Sequence, residues 1–382
     1  MSRGTRVFEG RSADAAEIVR VEVADGVITA VSCHPSRDES FPVLAPGLVD
    51  TQVNGYAGLD VNGDDVTPST LAALTARLRA VGVTTWVPTV ITGPEERILH
   101  ALDCIRRARD ADPRVRDAIP CAHIEGPFIS PDDGARGVHD IESIRPLDAE
   151  EVERWRRAGP VGIVTVSPHD DHSAEHIARV TRAGITVAIG HTSADHAHIL
   201  AAVDAGARLA THLGNGIPTM LPRHPNPIWS LLADERVTAG LIADGHHLPD
   251  ETLVAMIRAK GERGAFLVSD LTAIGGLPVG SHTTPVGGQV VLSEDLRLSH
   301  AGSDLLAGAA ATLTDGVRRL ARLPAIGLGR ALRLASENPV RIVPGGRPGL
   351  GRLEPGGPAD LVVLSGDGLD VDDVFVGGVA VA

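Results

Sequence analysis

The residues able to do chemistry in this chain recur at one kind of position, the end of a short apolar run. Reading each run to its end gives Gln52 and Asn54, Thr89, Glu125, Ser167-Pro168-His169, His191, His212, Asp244 with His246-His247, and Asp270. A Glu and two His brought together from three strands can supply the three protein ligands of an open catalytic zinc site, leaving the fourth position for water. Asp270 follows the apolar Ala265-Phe266-Leu267-Val268 and is placed to serve as general base beside such a cation. Taken singly, each residue has a plainer reading. A lone strand-end His is more often a cap, the chain has 16 His, and a Glu before Gly-Pro is usually a loop acid. The weight comes from Glu125, His191, His212 and Asp270 all closing strands of one parallel set.

Eight runs form that set: Gly47–Val53, Val83–Val90, Pro120–Glu125, Val161–Ser167, Ile185–His191, Leu209–His212, Val237–Asp244 and Gly264–Asp270. They are short and β-branched, and Ala/Leu/Arg-rich helical patterns separate them, as at Thr67–Val81, Glu95–Ala111, Ala174–Ala183, Ala194–Ala205 and Asp250–Ala259. That alternation predicts an α/β fold, a (β/α)8 TIM-type barrel, whose strand ends gather catalytic residues on one face. An open doubly wound sheet is the rival, disfavoured because no GxGxxG follows the early strands. The two ends of the chain read as short strands with turns, for example Val19–Val23 and Val27–Val31 across Asp25-Gly26, and Ala359–Leu364 with Val374–Val381. The expected division is a small β-sandwich domain from residues 1–46 and 343–382, around a barrel at 47–342.

Composition narrows the function classes. The 382 residues carry 35 Lys+Arg against 49 Asp+Glu, a formal net charge of −14, which argues against nucleic-acid binding. An anionic small substrate needs local Arg or His to override that field. Hydrophobic residues at 43% exclude a disordered chain. Cys33, Cys104 and Cys121 form no CxxC pair, which fits a reducing cytoplasm. No signal peptide or membrane span is expected. Lys260, the single lysine, reads as codon bias.

Several segments together resemble the N-acetylglucosamine-6-phosphate deacetylases of the amidohydrolase superfamily. They are Pro46–Gly55, His123-Ile124-Glu125-Gly126-Pro127-Phe128-Ile129, Gly190-His191-Thr192-Ser193-Ala194, Thr211-His212-Leu213-Gly214-Asn215, Ile242–His247, Leu267–Asp270 and the closing Gly351–Val363. The resemblance implies that Glu125, His191 and His212 hold a divalent cation, Zn²⁺, one per subunit. Gln52 and Asn54 stand where many amidohydrolases carry an HxH pair for a second metal, and amides are poor zinc ligands; they are expected at the substrate instead. Asp270 would take a proton from water and return it to the departing amine, with His139 as a mobile-loop histidine that binds substrate and stabilises the oxyanion. Arg223 from a neighbouring subunit, His247, and main chain near Asn215 and Gly216 would hold a 6-phosphate, making the protein a homodimer. One departure stands out: the run Gly214-Asn215-Gly216-Ile217 replaces the family's aromatic-Asn-Ala-Met. The implied reaction is deacetylation of N-acetylglucosamine 6-phosphate, with a different N-acyl sugar, N-acyl amino acid or cyclic amide as the alternative. A non-catalytic scaffold is disfavoured because all four chemical residues are retained.

Overall fold

In the computed structural model, residues 4–36, 38, 40–284 and 288–381 are described. The chain opens with β1 (Arg6–Arg11), β2 (Glu17–Ala24), β3 (Val27–Pro35) and β4 (Val43–Pro46). The first barrel strand, β5 (Leu48–Val53), follows at once, then a small hairpin of β6 (Gly55–Tyr56) and β7 (Leu59–Asp60). Alternation then sets in: α1 (Pro68–Arg79), β8 (Val83–Ile91), α2 (Glu95–Ala111), α3 (Pro113–Ala118), β9 (Ala122–Glu125), α4 (Ala149–Ala158) and β10 (Val161–Val166). It continues with α5 (Ser173–Arg182), β11 (Thr186–Ile189), α6 (His196–Asp204), β12 (Leu209–Ala210), α7 (Pro227–Ala233), β13 (Thr238–Ile242), α8 (Asp250–Lys260) and β14 (Ala265–Val268).

These eight long-range strands form one parallel sheet in the order β14-β13-β12-β11-β10-β9-β8-β5, each barrel strand beside its sequence neighbour. β8 and β10 are buried along their whole length, as expected of parallel strands with helices on one side and a packed interior on the other. The seam between β14 and β5 closes by a bridge from Val53 to Leu271 and by the Asp270 amide donating to the Gln52 carbonyl at 3.0 Å. Asp50, 1% exposed, reinforces the seam: its Oδ1 accepts the Ser269 amide at 3.2 Å. Burial pushes this carboxyl up to about 7.

After the barrel strands come a three-stranded antiparallel sheet, β15 (Gly280–Thr284), β16 (Gly288–Leu292) and β17 (Leu298–His300), and helices α9 (Leu313–Ala321), α10 (Gly327–Ala335) and α11 (Glu337–Val340). The chain returns through β18 (Leu361–Ser365), β19 (Asp370–Val376) and β20 (Val379–Ala380). These join the opening strands in a single seven-stranded sheet, ordered β20-β19-β18-β4-β1-β2-β3. The sheet curls until Phe8 of β1 meets Phe375 of β19 edge to face at 4.8 Å. One folded sheet therefore encloses Val21, Val23, Ile28, Leu44 and Leu361, as two facing layers would.

Lys260 has a structural task that composition did not suggest. Its ammonium donates to the carbonyls of Leu231 (2.5 Å), Val237 (2.8 Å) and Asp234 (2.9 Å), tying the end of α8 to the turn between α7 and β13. Three protons on a compact tetrahedral centre suit three converging acceptors; a planar guanidinium does not. Lys260→Met is expected to destabilise the fold by about 2–4 kcal/mol, since three charge-assisted bonds vanish and their carbonyls lose their partner. Lys260→Arg should recover only part of that, as read from urea unfolding midpoints.

Candidate active site

At the carboxyl ends of the barrel strands the backbone turns abruptly. His191, His212 and Asp270 have φ of +46°, +27° and +52°, the left-handed region that non-glycine residues seldom occupy. Such conformations cost on the order of 1–3 kcal/mol and collect at functional sites. Here they fall two residues past the ends of β11, β12 and β14. Glu125 is delivered differently, as the last paired residue of β9, opposite Ile91 and Thr165. The Gly-Pro turn after it is anchored by Phe128, stacked on Trp155 at 5.1 Å.

The predicted ligand set converges. Glu125 Oε1 lies 2.9 Å from His212 Nε2 and 3.3 Å from His191 Nε2, and the two imidazole nitrogens are 3.0 Å apart. All three residues are buried. Burial alone would raise the Glu125 carboxyl, but hydrogen bonding with His191 and His212 outweighs it and holds the group well below the usual carboxylate range. His191 Nδ1 faces the Ala135 carbonyl at 2.8 Å. Set against that carbonyl, the ring turns its Nε2 toward the Glu125 carboxylate and the His212 ring. A carboxylate and two imidazole nitrogens converging in this way are a donor set suited to a divalent cation. The residues fit that cation.

Around this centre the remaining candidates divide. Gln52 Nε2 donates to Glu125 Oε1 at 2.9 Å and to Asp270 Oδ1 at 3.2 Å, while Asn54 Nδ2 donates to the same Asp270 oxygen at 2.8 Å. Burial and the nearby Glu125 push the Asp270 carboxyl up to about 6. His139 is also brought in. Its ring meets that of His191 edge to face at 4.3 Å, and Glu125, His139 and His191 form a buried group with ligand atoms within 4.8 Å of one another. Its Nδ1 lies 2.7 Å from Thr92 Oγ1, and burial pulls the imidazole down to about 3, so it is neutral.

Gly216 crosses directly over the imidazoles. Its φ is +58°, and a Cβ there would lie 2.9 Å from His191 Nδ1 and 3.1 Å from His212 Cε1. The departure at Gly214–Ile217 is thus matched by a backbone path that leaves no room for a methyl group. Asn215 adjoins it, its amide donating to the His212 carbonyl at 3.0 Å. His247 is held by Asp244, Nδ1 to Oδ2 at 2.7 Å. Burial would raise Asp244, but this bond prevails and holds it at about 2. Arg223, by contrast, is exposed on the loop before α7, and among the described residues its side chain has no partner. That loop also exposes Met220, at 85%.

Sequence reasoning did not find Thr92 or the Ala135 carbonyl, which orient two of the imidazoles, nor Asp244 as the support for His247. Only Asp244 had a signal, its place at the end of the seventh run. His176 accepts the Ala149 amide at the start of α4 at 3.0 Å.

A parallel barrel with a carboxylate, two imidazoles and an aspartate at its mouth defines a metal-dependent hydrolase, and the model of the amidohydrolase family matches residues 43–381. The chain belongs to the amidohydrolase family. Within it, the chain stands among the N-acetylglucosamine-6-phosphate deacetylases. It is 34% identical to the N-acetylglucosamine-6-phosphate deacetylase of Bos taurus, over 90% of this chain and 84% of that one. It is 32% identical to the N-acetylgalactosamine-6-phosphate deacetylase of Shewanella sp. (strain ANA-3), over 91% and 88%. A mutant N-acetyl-D-glucosamine-6-phosphate deacetylase from Mycobacterium smegmatis, solved in complex with N-acetyl-D-glucosamine-6-phosphate, superposes with a TM-score of 0.86 at 29% identity, covering all of both chains. Among the described residues no helix is long and apolar enough to cross a membrane.

Proposed function

We propose that this chain hydrolyses the acetamide of N-acetylglucosamine 6-phosphate, giving glucosamine 6-phosphate and acetate, as a cytoplasmic homodimer with one Zn²⁺ per subunit. The observation that carries the reading is the convergence of Glu125, His191 and His212 within 3.3 Å, with Asp270 joined to Glu125 through Gln52, in a chain of this family. When bound, the cation supplies Lewis acidity, polarising the amide carbonyl and making water acidic enough to lose a proton near neutral pH. The chain's own residues do the rest. Asp270 accepts the proton as water adds to the carbonyl carbon. It then delivers that proton to the nitrogen as the C–N bond breaks, because an amide anion is too basic to leave unprotonated. Asp244 holds the His247 ring through its Nδ1, and that ring is assigned to the sugar phosphate. Arg223, whose side chain has no partner among the described residues, supports a role at the neighbouring subunit's phosphate, where a guanidinium fork suits a dianion. His139 borders the acetamide, and the main chain near Asn215 and Gly216 helps to hold the phosphate.

The relatives include deacetylases of both the glucosamine and the galactosamine phosphates, so the epimer at C4 is the second reading. Acetate release from N-acetylglucosamine 6-phosphate, its unphosphorylated sugar and N-acetylgalactosamine 6-phosphate separates the cases. The phosphorylated glucosamine derivative is expected to have the highest kcat/KM. Arg223→Ala should raise KM for it about 10-fold or more, with little change in kcat. Equal turnover with and without phosphate would remove Arg223 and His247 from the binding site.

A further inference from the structure

The amide pair at the end of β5 is expected at the substrate, yet its donors are spent elsewhere. An amide nitrogen has two hydrogens. Gln52 Nε2 uses both, one on Glu125 Oε1 and one on Asp270 Oδ1. Asn54 Nδ2 adds a third bond, at 2.8 Å, to the same Asp270 oxygen. Asp270 Oδ1 therefore accepts twice, while Oδ2 has no hydrogen-bond partner among the described residues. Gln52 itself is 2% exposed, with both its amide hydrogens engaged, and Asn54 Oδ1 is buried without a partner among the described residues.

We infer that Gln52 and Asn54 are positioning residues. They pin Asp270 through Oδ1 so that one oxygen, Oδ2, takes the proton from water and returns it to the leaving nitrogen. The inference rests on the reading of Asp270 as the base. Two consequences follow from the chemistry. A carboxylate free to rotate about its Cβ–Cγ bond presents either oxygen in a range of directions, and the fraction aligned for transfer falls; pinning removes that loss in advance. Gln52 also bridges Glu125 and Asp270, bringing partial positive charge to both carboxylates at once and coupling the base to a predicted ligand of the cation.

The test uses the cation-loaded full-length protein. Gln52→Met keeps length and removes both donors; Asn54→Leu removes the third. Each single variant is expected to lower kcat about 10- to 100-fold with KM within about twofold, and the double variant by more. Both should still hold one cation per chain by elemental analysis and keep the wild-type unfolding midpoint to within a few degrees. Asn54→His, which can still offer an N–H, should recover part of the kcat lost in Asn54→Leu. The opposite pattern, KM raised with kcat intact, would make the amides substrate ligands and overturn the inference. So would loss of the cation in either variant, which would place them in metal retention. Should Asp270→Asn itself retain turnover, the base reading fails first; an inactive Asp270→Asn beside fully active Gln52→Met and Asn54→Leu overturns the positioning role alone.

Discussion

Asp270→Asn is expected to lower kcat by about 10²- to 10⁴-fold, the span typical of a lost general base, while the protein keeps one cation per chain. Asn is the mildest replacement available. It preserves shape, tolerates the left-handed backbone that Asp270 adopts at φ +52°, and loses only the capacity to accept a proton. The pH profile supplies a second readout. In the folded chain without a cation, burial and Glu125 raise the Asp270 carboxyl to about 6; a positive ion beside it pulls the value down. The ionised form is the working base, so kcat/KM should rise with pH through a single ionisation centred at or below about 6. Any residual activity of Asp270→Asn should lack that limb. An Asn variant with full turnover would remove Asp270 from the reaction.

Glu125→Gln should have the larger effect, abolishing stoichiometric metal binding and turnover with it. The carboxylate is the one anionic member of the predicted ligand set, and its neutral amide offers the ion far weaker attraction. Loss of a mere outer partner of a metal ligand already costs about 10- to 100-fold in affinity, so removal of a ligand charge should exceed that. A control separates ligand loss from misfolding. Without metal, hydrogen bonding with His191 and His212 already holds the wild-type carboxyl well below the usual carboxylate range, so the ionised form contributes stability at neutral pH that the amide lacks. Metal-free Glu125→Gln should therefore still unfold in one cooperative transition, at a temperature somewhat below that of metal-free wild type. A variant that kept its ion by elemental analysis would show that Glu125 is not a ligand.

Much of the frame is legible in the amino acids because the physics is local. Short β-branched runs such as Val83–Val90 and Val161–Ser167 are the strands β8 and β10 within a residue or so. Reading each run to its end located Glu125, His191 and His212, which the fold brings together. Ends are where prediction loosens: Leu209–His212 pairs only at Leu209 and Ala210, because His212 has already left extended geometry. What the sequence hides are contacts between distant segments that carry no repeating pattern. Thr92 reaching His139 and Gln52 reaching both Glu125 and Asp270 follow from barrel closure, not from spacing. Lys260 is the sharpest instance, since three acceptors from the α7–β13 turn, distant in sequence, define its role. Gly216 is intermediate. Its departure from the family pattern was visible, but its cause, the two imidazoles beneath it, needed three dimensions.

The curled terminal sheet has a consequence for how the molecule is made. β4 pairs with β1 on one side and with β18 on the other, Val43 opposite Leu364, so the ribosome delivers the middle of this sheet long before its second half. During that interval Leu44 and Val21 lack the cover that Ala359 and Leu361 supply, and the open flank of β4 is a template for mispairing with other nascent chains. Closing a loop of roughly three hundred residues directly would be entropically unfavourable. The barrel removes part of that penalty, because once the Val53–Leu271 seam has zipped, the remaining stretch to β18 is the roughly ninety residues between Leu271 and Leu361. Maturation should therefore run inward-out, catalytic mouth first and terminal sheet last, with chaperone demand concentrated on the waiting amino-terminal hairpins.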